Sequence, residues 1–110
     1  MFQKDMRLGY LLDFYGDILP DRKRDVLNAY YNEDLSLSEI ADELGISRQG
    51  VHDLVKKGEE LLLFYEEKLG LAKKFQDAEK CVSKLMQDAQ AEHLSSLVMS
   101  DIEELGKTLL

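Results

Sequence analysis

The feature that most constrains this chain is the stretch 37–56, where small, turning and capping residues stand in the order that two crossing helices require. Ser36 and Glu39 lie three apart ahead of an apolar run. At that spacing a serine hydroxyl accepts from the N3 backbone N–H while the glutamate reaches back to the cap. Ala41 is small enough for a second helix to cross it closely. Gly45, four residues on, permits the positive φ that turns the chain, and Ser47 supplies a second N-cap. Ile40, Leu44, Ile46, Val51 and Leu54 are then expected to face inward and lock the pair together. The pattern predicts a helix-turn-helix.

Turning Val51 and Leu54 inward leaves Arg48, Gln49, His52, Asp53, Lys56 and Lys57 on the outer side of the second helix. A groove-facing helix needs such residues: Arg bonds guanine O6 and N7, Gln bonds adenine N6 and N7, and Lys neutralises phosphates. The candidate nucleic-acid-binding residues are therefore Ser47, Arg48, Gln49, His52, Lys56 and Lys57. Charge acts against this reading, because the chain carries 14 Lys and Arg against 22 Asp and Glu, net −8, and backbone binding is driven by cations that displace counterions. Locally the sign reverses. Between Arg48 and Lys57 three cations face one carboxylate, Asp53, for a net charge of +2.

The rest of the chain reads as helix throughout, with no strand-like alternation. Leu8, Leu11, Leu12, Tyr15, Ile18 and Leu19 form a first apolar stripe over residues 6–19, which Pro20 stops. Asp21 is expected to cap a second helix bearing Val26, Leu27, Tyr30 and Tyr31, ended by the polar residues 32–34. After the third helix, which stops at Gly45, a long fourth helix runs from Ser47 past Leu54, Leu61, Tyr65 and Leu69 to Gly70. Gly58 is its expected bend, at a cost of about 1 kcal/mol relative to Ala. Beyond Gly70, the residues Leu71, Phe75, Ala78, Val82, Leu85 and Ala89 repeat at spacings that average 3.5, the seam of packed helices. Leu94, Val98, Ile102, Leu105 and Leu109 follow at helical spacing. The expected division is a helix-turn-helix domain over 1–70 and a helical extension over 71–110, packed on it or on a second subunit.

Several function classes lose support. The single cysteine, Cys81, forms no intramolecular disulfide, and no signal-peptide pattern opens the chain at Met1; a cytoplasmic location is expected. No apolar run approaches the length of a membrane span, so no membrane insertion is expected. His52, His93 and Cys81 have no zinc-ligand spacing, and no phosphate loop or nucleophile elbow is present. The chain is read as having no catalytic residues, no metal and no cofactor: not an enzyme.

Two resemblances rest on these residues. Leu-Pro-x-Arg-x-Arg-x-Val-Leu at 19–27 and Leu-Ser-Leu-Ser-Glu-Ile-Ala-Asp-Glu-Leu-Gly-Ile-Ser-Arg-Gln-Gly-Val at 35–51 resemble region 4 of bacterial sigma factors. The whole chain, with Tyr-Leu-Leu-Asp-Phe-Tyr at 10–15 and the C-terminal helices, is more similar to the YlxM-type family of small helix-turn-helix proteins. That resemblance implies an all-α fold and a DNA-binding regulator. It also implies a part in the signal recognition particle pathway, beside whose GTPase genes the family's genes lie. Gly50 and Asp53 stand where cations are common in the sigma recognition helix, which argues against promoter reading. The alternative is a protein-interaction adaptor that uses the helical scaffold to bind components of the particle and no nucleic acid; protein or RNA of the particle stand beside DNA as the partners the resemblance implies. In either case a homodimer is expected, with the C-terminal seam partly buried between subunits.

Overall fold

A computed structural model describes residues 4–109; residues 1–3 and 110, at the ends of the two expected domains, lie outside the described residues. Among the described residues, six α-helices and one 3₁₀ turn form two compact units, the first ending at Gly70 and the second beginning at Leu71. The fold is all-α, as the periodicity predicts.

In the first unit, α1 (Met6–Tyr15) is capped by Asp5, whose carboxylate accepts from the Arg7 N–H at 2.9 Å. Leu8, Leu11, Leu12 and Tyr15 bury one side of it. The helix ends sooner than its apolar stripe suggests. Residues 16–18 form a 3₁₀ turn that leaves Ile18 56% exposed, and Leu19 is extended with ψ 148°, because the following proline excludes it from helical backbone. Pro20, not Asp21, then occupies the N-cap of α2 (Asp21–Tyr31), and its carbonyl accepts the Arg24 N–H. Asp21 sits in the first turn instead, where a carboxylate favours the positive helix end.

α3 (Leu37–Leu44) begins with both halves of the capping box in place. Ser36 Oγ accepts from the Glu39 N–H at 3.1 Å, and Glu39 Oε1 accepts from the Ser36 N–H at 3.1 Å. It ends at Gly45, whose φ of +67° lets the N–H groups of Gly45 and Ile46 both reach the Ala41 carbonyl. Ser47 then caps α4 (Arg48–Leu69), a single 22-residue helix that terminates on Gly70 at φ +63°.

α4 packs against α1, α2 and α3. Its core-facing residues are Val51, Val55, Gly58 and Leu62. The expected stripe of Leu54, Leu61, Tyr65 and Leu69 is the flank of that face: Leu54, Leu61 and Tyr65 are half-buried and Leu69 is exposed. Likewise Ile40 is buried, Ile46 half-buried, and Leu44 exposed at the end of α3. Gly58 is no bend. A Cβ there would stand 2.7 Å from Cδ1 of Leu27 and 3.1 Å from its Cγ, and Leu27 is fully enclosed. The glycine sets how closely α2 and α4 approach. Two phenols fasten the flanks, with Tyr15 Oη donating to Glu66 Oε1 at 2.6 Å and Tyr31 Oη donating to Glu59 Oε2.

The second unit is a helical hairpin of α5 (Leu71–Ala91) and α6 (Ser96–Leu109). His93 carries the turn at φ +53°. Its N–H bonds the Gln90 carbonyl and the next N–H, of Leu94, bonds the Ala89 carbonyl, the paired closure by which a left-handed residue ends a helix. Ser95 Oγ accepts from the Val98 N–H at 3.3 Å and so starts α6. Ala89 and Ile102 are buried, while Phe75, Ala78 and Val82 are half-buried. Gly106 lies against Val82 so closely that a Cβ there would meet its Cγ1 at 3.3 Å. α6 therefore covers part of the α5 seam within one chain. Leu85, Leu97, Val98 and Leu105 remain exposed.

Candidate nucleic-acid interface

The six residues singled out in the sequence all fall within the cap and first three turns of α4, and the turn at Gly45 decides how they are presented. Ser47 is the N-cap, its Oγ accepting the Gly50 N–H at 3.0 Å. The hydroxyl therefore holds the helix start as well as standing at the surface. Arg48, the first helical residue, is exposed. It lies close enough to Tyr30 on α2 to oppose the rise in that phenol's pKa, which burial and then Glu59 produce. Lys56 and Lys57 are exposed two turns later. Arg48, Lys56 and Lys57 form no ion pair among the described residues.

Gln49, His52 and Asp53 form one group. Gln49 Nε2 donates to Asp53 Oδ1 at 3.1 Å, and the same oxygen lies 3.8 Å from His52 Nδ1. A carboxylate only accepts, so the bond fixes which end of the Gln49 amide turns toward Asp53. The His52 ring is half-buried, with Nδ1 shielded from solvent and without a hydrogen-bond partner among the described residues. Asp53, which the sequence places on the outward side as a charge opposing the cations, thus holds the Gln49 amide. Its spacing of four from Gln49 was the available signal.

The outward side of α4 is thereby a short polar strip with basic ends and one carboxylate between them. It stands away from the buried Val51, Val55 and Gly58 of the same helix, with α3 braced behind by its capping box. Cations bound to an inner scaffold with their charges uncompensated favour an anionic partner.

Residues 2–102 match the model of the UPF0122 family, helix-turn-helix protein, YlxM / p13 like. The chain belongs to the UPF0122 family. UPF0122 proteins of Bacillus cereus (strain AH187), Bacillus anthracis (strain A0248) and Bacillus thuringiensis subsp. konkukian (strain 97-27) are each 42% identical to it over 108 residues. In each case the alignment covers 97% of this chain and 98% of the relative. The UPF0122 match runs through α5 and into α6, so what the family shares extends well past the helix-turn-helix. Among the described residues, no helix is long and apolar enough to cross a membrane.

Proposed function

We propose that the protein is a cytoplasmic DNA-binding regulator that reads duplex DNA with the first three turns of α4, works as a homodimer and has no enzymatic activity. The observation that carries this reading is the uncompensated exposure of Arg48 at the start, and of Lys56 and Lys57 on the outer side, of the second helix of a helix-turn-helix. In this assignment Arg48 and Gln49 meet base edges, Lys56 and Lys57 meet phosphates, and Ser47 and His52 flank them. Pairing of two copies would double the phosphate contacts and offset the −8 that each chain brings. A second reading, an adaptor that binds a protein component of the signal recognition particle and no nucleic acid, is favoured by that same acidity and by Leu85, Leu97, Val98 and Leu105 lying exposed on the hairpin.

The test is fluorescence anisotropy with labelled duplexes over a salt series. The expected log–log slope is on the order of −2 to −4 per subunit, because few phosphates are neutralised. Arg48→Ala is expected to weaken the preferred sequence by about 1 to 3 kcal/mol and relax one base position, while Lys56→Ala weakens every duplex alike. No binding to any duplex near 50 mM salt overturns the DNA reading in favour of the adaptor.

A further inference from the structure

We infer that Asp53 is a base-reading and positioning residue of this helix: its carboxylate selects a cytosine and holds the Gln49 amide for an adenine beside it. The inference rests on the duplex-reading function proposed above. Asp53 lies midway in sequence between the buried Val51 and Val55. It is therefore turned by about 200° from each and points away from the core. No cation of the strip compensates it, since Arg48, Lys56 and Lys57 make no ion pair among the described residues. A carboxylate at that place repels phosphates. In the groove a carboxylate is satisfied by a base amino group, and the N4 amino group of cytosine is the usual partner of an acidic side chain.

The bond from Gln49 Nε2 to Asp53 Oδ1 at 3.1 Å supports the second half of the inference. It engages one amide N–H and leaves the other N–H and the Oε1 acceptor, the pair that adenine N7 and N6 require. Gln49 is held in an orientation that a free side chain would have to be ordered into. Four residues of helix span about 6 Å, so the two side chains address base pairs that lie within about two steps of 3.4 Å.

The experiment is selection from a duplex pool with a randomised core, by the intact wild-type chain, Asp53→Asn and Asp53→Ala, followed by anisotropy on the enriched and unselected duplexes. The wild type should enrich an adenine and a cytosine within two steps of each other. Asp53→Asn should replace the cytosine by adenine, as an amide reads N6 and N7. Asp53→Ala should leave that position unselected, loosen the neighbouring adenine preference, and raise affinity for unselected duplex about threefold to tenfold at low salt through loss of one repulsive charge. All three proteins should keep the same helix content, because the side chain is exposed. Identical enriched sequences for wild type and Asp53→Asn, or wild-type binding without enrichment, overturn the role of Asp53 and leave DNA binding standing. Absence of binding by all three overturns both.

Discussion

At the scale of single residues, Tyr31 shows how a polar contact off the core couples stability to pH. Its phenol is half-buried and donates to Glu59, and its pKa is pushed well above the ordinary value, first by burial and then by the hydrogen bond and charge of Glu59. In the unfolded chain the group titrates near pH 10. A folded-state value raised above the unfolded one gives stability that is fully present below about pH 10 and is lost as pH rises beyond it. Urea unfolding followed from about pH 8 to pH 11 should therefore show a steeper alkaline loss in the wild type than in Tyr31→Phe, which should itself cost about 1 kcal/mol at neutral pH through the missing bond. Parallel pH profiles would contradict the coupling. Nothing in the sequence around Tyr31 pointed to this. Its helical spacing marks it as apolar, and the partner lies 28 residues away on another helix.

At the scale of elements, the crossing of α2 and α4 is held at Gly58. Gly58→Ala gains about 1 kcal/mol of helix propensity but drives a Cβ to 2.7 Å from a fully enclosed Leu27. Overpacking of this kind costs about 1 to 3 kcal/mol, so the substitution should lower the melting midpoint. Leu27→Val beside it should restore part of the loss, a coupling that a double-mutant cycle measures; additive effects would mean that the two residues do not press on one another. The helices themselves were legible because their ends are written locally. Ser36 with Glu39, Gly45, Ser47 and Gly70 each satisfy backbone groups of their own neighbourhood, and the structure places all of them as caps. What periodicity left open was rotation. The leucines at 54, 61 and 69 outweigh Val55 and Gly58 in hydrophobicity, yet Val55 and Gly58 share the buried face with Val51 and Leu62, because at Gly58 it is closeness of approach to α2 that decides burial. The N-cap of α2 was misread for a related reason: Asp21 is an excellent cap by type, but Pro20 fixes its own φ and takes the position.

At the scale of the molecule, the C-terminal hairpin tests the proposed dimer. The intact chain should sediment as a dimer at micromolar concentration, and Leu85→Glu with Leu105→Glu, both at exposed positions, should make it monomeric without loss of helix content. Val82→Glu should instead loosen the hairpin, since Val82 lies against Gly106 of α6. A monomeric wild type would refute the dimer. Periodicity marks the α5 seam as covered but says nothing of what covers it, which is why the helix-turn-helix domain and a second subunit both stood as candidates and the cover from α6 did not. The two-sidedness of α4 has a further consequence, for how such proteins diverge. Val51, Val55, Gly58 and Leu62 hold the scaffold, and Gln49, Asp53, Lys56 and Lys57 on the opposite side, with Arg48 exposed at the helix start, contribute little to it, exposed substitutions being worth about 0.5 kcal/mol or less. Only Ser47 is bound by both duties, because it caps the helix it would help to present. On the proposed reading, relatives sharing this fold are free to drift in what they recognise while the framework stays fixed, and variation at 48, 49, 53, 56 and 57 would record changes of target at almost no cost in folding.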